Sequence, residues 1–310
     1  MQDDRIALMV ADKAARQYCF FPFTLGGICS QISSLEADVL KTVKYNIVDD
    51  IELRVANEAD GSLLYDLLRS YGMSPCNYEN LEIFAEEKLD LIVRNMTHCL
   101  DHRFFITFLL FCRKQPVAFF QVDPYNLKTI ESIYQNKLLL RWNLFLEEPI
   151  DLYDLMQKNE QVRYDWLGKH MKVDVFRQVC KERNLMWTEE DWCSFVAYCI
   201  QSYQLFRGIL KGSAWLGNIS YNIIPNFQRK GLMTKMISSV EDVLRKCTDC
   251  HSLFSDRISD KNIRSIALLK RLAFKQGGTF SCHYGKDYPT RAHPNGNFSE
   301  SCVCFYKKIA

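Results

Sequence analysis

Glycine is scarce here, 13 in 310 residues. A turn-rich β-sandwich is therefore not expected, and a helix-rich α+β (mixed α/β) protein is. Charge of one sign is also lacking: the formal net charge is only +2. That excludes a nucleic-acid binder working mainly by phosphate neutralisation, and no basic stripe is present. Long apolar runs are missing as well. The longest, 104–112, is about half of the roughly 20 residues that a spanning helix needs, so no membrane span is expected. The first residues include Asp3 and Asp4 and lead into no long apolar stretch, so no secretory signal is read there.

Cysteine, by contrast, is plentiful: 13, an odd number. With no signal for export, these read as reduced, mostly buried thiols of a cytoplasmic protein. Cys247-x-x-Cys250-His251 has the spacing of half a zinc site, but two further ligands are not in evidence. Cys282-His283 and Cys302-x-Cys304 lie elsewhere in the chain. The expectation is no metal, with a helix end and a strand start at 247–251. Nearly half the residues are apolar, enough for a sizeable core, and 310 residues suffice for two domains or one elaborated domain.

The most informative segment is 221–235. An apolar strand-like run ends at Pro225-Asn226, and Gln228-Arg229-Lys230-Gly231 then opens a helical pattern. A strand that delivers a tight loop to a helix N-terminus presents backbone N–H groups and a partial positive charge to an anion. Gly231 permits close approach, and Arg229 and Lys230 add mobile positive charge.

This segment resembles the acyl-CoA-binding loop of the GNAT superfamily of N-acyltransferases, Gln/Arg-x-x-Gly-x-Gly/Ala, with Met233 in place of the last small residue. Downstream, 260–274 resembles the second family signature, Asn-x-x-Ser-x-x-Leu-Leu-x-x-Leu-Gly-Phe, with Asn262, Ser265 and Phe274 in place and Ala273 where Gly is usual. Two motifs in the right order and at a suitable separation carry the resemblance. It implies a GNAT fold: a mixed, mostly antiparallel sheet flanked by helices.

Along the chain, 51–55 alternates like a strand, and 62–70 and 78–100 have helical spacing. Residues 104–111 and 117–122 read as a hairpin around 112–116. That order is similar to the opening of a GNAT fold, without its coenzyme half. From 130 to 203 the pattern is mostly helical, and 152–159 with 164–167 resembles the ribosomal-protein N-acetyltransferase branch. Thr188 followed by three acids is a helix start. Strands are expected at 205–210, 214–224, 252–258, 279–283 and 302–307, helices at 230–246 and 262–272, and a polar loop at 286–297. Two architectures fit. Residues 1–130 form an additional N-terminal GNAT-like module before an acyltransferase domain at 131–310, or one GNAT domain is split by a helical insertion after Val122. The first is the expectation taken.

The resemblance implies acetyl-CoA as co-substrate. Its pyrophosphate would lie on Arg229, Lys230, Gly231, Leu232, Met233 and Thr234, with Gln228 shaping the turn. Ile223 and Ile224 would run beside the pantetheine arm, a backbone N–H there stabilising the oxyanion. Asn262 would hold the arm, and as the plainer alternative it caps the following helix. Many members carry a Tyr acid where this chain has Leu269. In the ribosomal-protein branch the Ser of the second motif takes that part, here Ser265, which the resemblance also counts with Asn262 among the residues contacting the coenzyme. An amine with pKa about 10.4 must lose a proton before attack. The 218–220 stretch has no acid for this, so Asp256, Tyr221, His283 and Tyr284 are the candidates, with a water chain as the alternative.

Two functions follow from the resemblance. One is a cytoplasmic N-acetyltransferase acting on an amine, of a protein or peptide by the branch likeness. The other is a non-catalytic acyl-CoA sensor or protein-interaction module. The tandem layout is also similar to secreted bacterial effectors that act in a host cytosol.

Overall fold

The computed structural model describes residues 31–48, 50–70, 93–94, 96–98, 100, 106–131, 134, 139, 142–183, 187–210, 215–284 and 298–309. These fall into two compact units. One comprises Leu127–Lys211 with Gly278–Val303, and the other Cys29–Asn126, Gly212–Gly277 and Cys304–Ala310.

The chain's described part opens with helix α1 (Ser34–Lys41), started by a reciprocal cap in which Ser33 and Glu36 each bond the other's backbone N–H. Strands β1 (Lys44–Val48) and β2 (Ile51–Val55) follow, then helix α2 (Gly61–Ser70). Strands β3 (Ile106–Cys112) and β4 (Gln115–Tyr125) form the expected hairpin. Its two turn residues, Arg113 and Lys114, both have positive φ, as a primed two-residue turn requires. The expected strand at 51–55 and helix at 62–70 are present. Most of the helix expected at 78–100, the start of the 104–111 strand and all of the polar loop at 286–297 lie outside the described residues.

Helices α3 (Leu127–Glu131), α4 (Leu152–Gln157), α5 (Glu160–Lys169), α6 (Val173–Arg183) and α7 (Glu189–Leu210) come next. Thr188 caps α7 as expected, exchanging bonds with Asp191. The strand expected at 205–210 is instead the last part of α7. A short apolar run fits either element, and here the long helix of 22 residues continues through it. Gln204 on α7 holds Met156 of α4 through its side-chain amide and Arg163 of α5 at 3.5 Å. In this helical unit's core Phe145 meets Phe176 and Trp192 edge-on, and Phe176 and Trp192 are tilted against each other.

The other unit continues with β5 (Trp215–Ile223), α8 (Leu232–Cys247), β6 (Cys250–Ser259) and α9 (Ile263–Arg271), after which come β7 (Lys275–Tyr284) and β8 (Phe298–Lys308). All eight strands make one sheet in the order β1-β2-β3-β4-β5-β6-β8-β7. The pairs from β1 to β5 are antiparallel, and β5 pairs β6 in parallel. The sheet is therefore mixed and mostly antiparallel, with helices beside it.

The division expected at residue 130 is replaced by another. Strand β4, before it, pairs with β5, after it, over eight residues from Ala118↔Ile223 to Tyr125↔Leu216. Residues 44–125 are thus the first strands of the same sheet, not an additional N-terminal module, and the helices of 127–210 are inserted between neighbouring strands. Physically, β4's central residues are fully buried and need a partner strand on their free edge.

Candidate active site

Strand β5 is where the sheet opens. Its parallel register with β6 ends at Asn218↔Phe254, while its antiparallel register with β4 continues to Ile223. The Ile224 N–H donates to the Val117 carbonyl at 2.9 Å. Because antiparallel bonds alternate, Ile219, Tyr221 and Ile223 turn their N–H and C=O to the other edge. Past Asn218 that edge faces no paired strand. Gly217 sits just before the opening, wedged where an added Cβ would come within 2.5 Å of Val122 and 2.9 Å of Leu253. The two parallel strands can close up only where this residue has no side chain.

At the end of β5 the chain makes a short 3-10 turn (Pro225–Phe227) and enters the loop. Arg229 has φ 61° and Gly231 φ 73°, both left-handed, and Gly231 is the N-cap of α8 with no side-chain cap. Among the described residues, the backbone N–H groups of Arg229, Lys230, Gly231, Leu232, Met233 and Thr234 donate to no protein acceptor. Left-handed residues alternating with right-handed ones turn successive amides to one side, and a helix N-terminus adds its dipole. Six consecutive amides are thus available to a multivalent anion. Space above Gly231 is open, with nothing within 4 Å of a Cβ placed there. Arg229 and Lys230 are exposed, Lys230 lying 4.9 Å from the Phe227 ring centre. The bulk of Met233 does not obstruct the loop, because that residue is buried on the core side of α8.

Gln228 ties the loop together. Its Nε2 donates to the Ile223 carbonyl at 3.3 Å and its Oε1 accepts from Arg264 at 3.0 Å. Arg264, at the start of α9, was not singled out from the sequence; its position two residues after Asn262 was the available signal. Asn262 caps α9, its Oδ1 accepting the Ser265 N–H at 3.1 Å. The cap occupies the oxygen and leaves the side-chain amide hydrogens for a ligand, so the two roles weighed for Asn262 are compatible.

Ser265 and Tyr221, separate candidates in the sequence, are brought together. The Tyr221 ring stacks on Phe120, its cross-strand partner, with centres 6.0 Å apart. Its hydroxyl is sealed from solvent beside Ser265, short of normal hydrogen-bond geometry. Burial pushes the phenol up to about 12, against a smaller pull downward from Ser265. Such a phenol keeps its proton at neutral pH, so its hydroxyl is able to donate a hydrogen bond. Leu269, at the position of the Tyr acid, is completely buried.

Of the two residues expected beside the arm, Ile224 spends its N–H on Val117, and Ile223 donates its N–H to the Asn222 side chain at 2.8 Å. Tyr221 is left as the residue whose backbone faces the opening. Asp256 lies on β6, and His283 and Tyr284 end β7; their side chains lie outside the described part. Cys247 ends α8 and Cys250 begins β6, both as free thiols. Among the described residues no cluster of three metal-ligating side chains occurs, and no helix is long and apolar enough to cross a membrane.

Residues 152–274 match the model of the acetyltransferase (GNAT) family. No curated protein matches the chain. Solved structures similar to it include RimL, the ribosomal L7/L12 α-N-protein acetyltransferase, in complex with coenzyme A (10% identity, 86% of this chain and 98% of that one, TM-score 0.47). Others are a ribosomal-protein-S5-alanine acetyltransferase from Vibrio fischeri (10%, 86% and 97%, TM-score 0.45) and NAA60 of Arabidopsis thaliana in complex with acetyl-CoA (12%, 84% and 98%, TM-score 0.42).

Proposed function

From the match of 152–274 to the GNAT acetyltransferase family model and from the mixed sheet that opens between β5 and β6, we propose that the protein is an acetyl-CoA-dependent N-acetyltransferase whose acceptor is an amine of a protein or peptide. The observation that carries this reading is the run of six unbonded amides from Arg229 to Thr234, set at the mouth of the β5–β6 opening. A diphosphate fits the amides, and an extended amide-bearing arm fits the strand edge. Coenzyme A joins those two chemistries in one molecule.

In this reading the pyrophosphate lies on the loop, with Arg229 and Lys230 screening its charge. The pantetheine arm runs back along Tyr221 and Ile223 and receives a hydrogen bond from Asn262. The thioester reaches the apex of the opening near Asn218. Ser265, backed by the protonated Tyr221, supplies the proton that the departing thiolate takes up. Asp256 stays a candidate for accepting the proton of the amine, and no metal is called for.

Calorimetric titration with acetyl-CoA tests the reading. Wild type binds, and Gly231→Glu, which puts a carboxylate where the phosphates go, loses binding by at least about 100-fold, of the order of 3 kcal/mol. Absence of binding by the wild-type protein rejects the coenzyme site. Binding with no transfer to any amine supports the acyl-CoA sensor instead.

A further inference from the structure

The sequence places no acid on β5 for the incoming amine, but the sheet register supplies one from the neighbouring strand. Asp123 on β4 stands directly opposite Asn218 on β5, and Gln121 opposite Ser220. Directly opposed residues share a face, so these four side chains form two adjacent polar rungs on one side of the sheet. On the other side Ala118, Phe120, Val122 and Ile219 are apolar and at most 3% exposed, with Tyr221 opposite Phe120. Gln121 Nε2 donates to Asp123 Oδ1 at 3.2 Å, which steadies the carboxylate. Asn218 is only 8% exposed, yet its Oδ1 has no hydrogen-bond partner among the described residues. Ser220 is exposed, so solvent reaches this side of the strand.

A sealed acceptor with no donor, next to a carboxylate, is costly unless a ligand completes it. The carboxylate, the amide oxygen and the hydroxyl oxygen can each accept a hydrogen bond from an incoming donor, and a primary ammonium offers three N–H groups and one positive charge. The rungs lie at the apex of the β5–β6 opening. Asn218 is five residues, about 16 Å of strand, from Ile223 at the loop end. An extended arm anchored at the loop delivers its thioester to that apex.

We propose that Asp123, Asn218 and Ser220 form the subsite for a primary amine, with Asp123 as the group that takes its proton. The inference rests on the coenzyme reading above. The ammonium gives one proton to the Asp123 carboxylate, which passes it to water. The amine nitrogen forms a bond to the acetyl carbon, and the carbon–sulfur bond breaks. A second nitrogen-bound hydrogen is lost as the amide forms, and the thiolate gains one proton to leave as the thiol. Tyr221 and Ser265 approach from the opposite side of β5, so proton removal and proton delivery occur on opposite sides of the reacting carbon.

The test uses the full chain with acetyl-CoA and three probes: a peptide with a free α-amine, an α-blocked peptide containing lysine, and spermidine. Thiol release is followed for wild type, Asp123→Asn and Asp123→Glu, with acetyl-CoA binding measured calorimetrically for each. The expected result is a fall in kcat/KM for the accepted amine of at least about 100-fold in Asp123→Asn. Acetyl-CoA affinity stays within two-fold, and part of the rate returns in Asp123→Glu. Asp123→Asn activity within about three-fold of wild type overturns the inference, as does a parallel loss of acetyl-CoA affinity or transfer by the wild type to none of the probes. Failure of the wild type to bind acetyl-CoA removes the coenzyme reading itself.

Discussion

Tyr221 and Ser265 show how the fold brings together side chains that the sequence keeps apart. Neither hydroxyl is acidic enough alone to be recognised as a donor, and the sequence holds them 44 residues apart. In the structure the phenol is held against Phe120, sealed, and kept protonated by burial, with Ser265 at its tip. Ser265→Ala is expected to lower kcat about 100-fold without changing the affinity for acetyl-CoA, since it removes a proton donor and not a binding contact. Tyr221→Phe keeps the stacked ring and removes only the partner of Ser265, so its loss is expected to be nearer ten-fold. Steady-state rates with fixed saturating acetyl-CoA separate these outcomes. Equal losses in binding and rate for both variants would assign the pair to packing.

Helix α9 carries its departure from the motif it resembles in a measurable form. Ala273 follows the helix with φ 62°, its N–H bonding Lys270 and the Phe274 N–H bonding the Leu269 carbonyl at 2.9 Å. This is the left-handed termination that glycine adopts without strain, and alanine's Cβ costs about 1 kcal/mol there. Ala273→Gly is expected to stabilise the protein by roughly 0.5–1 kcal/mol, a rise of about 1–3 °C in Tm by calorimetry. A fall in Tm would show that the unfolded-state entropy of glycine outweighs the relieved strain. The same element starts with Asn262 as cap, so both ends of α9 were readable from short-range backbone chemistry. The strand expected at 205–210 was misread for the complementary reason. A six-residue segment with two apolar pairs around Arg207-Gly208 has no period long enough to separate helix from strand, and the continuity of α7 decides it.

At the scale of the molecule, Glu36 links parts of the chain that composition cannot relate. Its carboxylate accepts the Trp215 indole N–H at 2.9 Å, the Asp249 N–H at 2.8 Å and both donors of Ser33. Helix α1 is thereby fastened to the starts of β5 and β6. Burial alone would raise the carboxyl, but the hydrogen bonds from Asp249, Trp215 and Ser33 together hold it below its ordinary value of 4.5. A depressed carboxyl stabilises the fold above its unfolded value, and that contribution is lost as the pH falls below about 4.5 through the folded value. Glu36→Gln is therefore expected to cost about 2 kcal/mol at pH 7 and progressively less in acid. Urea unfolding at pH 7 and pH 4 checks the sign; a cost that grows in acid would reverse the assignment. The buried thiols belong to this scale too. Burial pushes Cys180 to about 11 and Cys193 and Cys250 to about 12, which fits packing and not reactivity.

What the amino-acid sequence determined by itself was local. Gly231 after a basic pair, Asn262 three residues before Ser265, Thr188 before three acids and the 112–116 turn each specify backbone geometry within a few residues. The loop proposed to hold the coenzyme was legible for that reason. Only the tertiary structure decided which strands lie side by side. Strand pairing joins residues far apart in the chain, and alternation marks a strand's faces without naming its neighbour. That is why β4 and β5 were assigned to separate domains although they share an eight-residue register. It is also why Asp123 was passed over: its place beside Asn218 exists only once 127–210 is set aside as an insertion and the two strands meet.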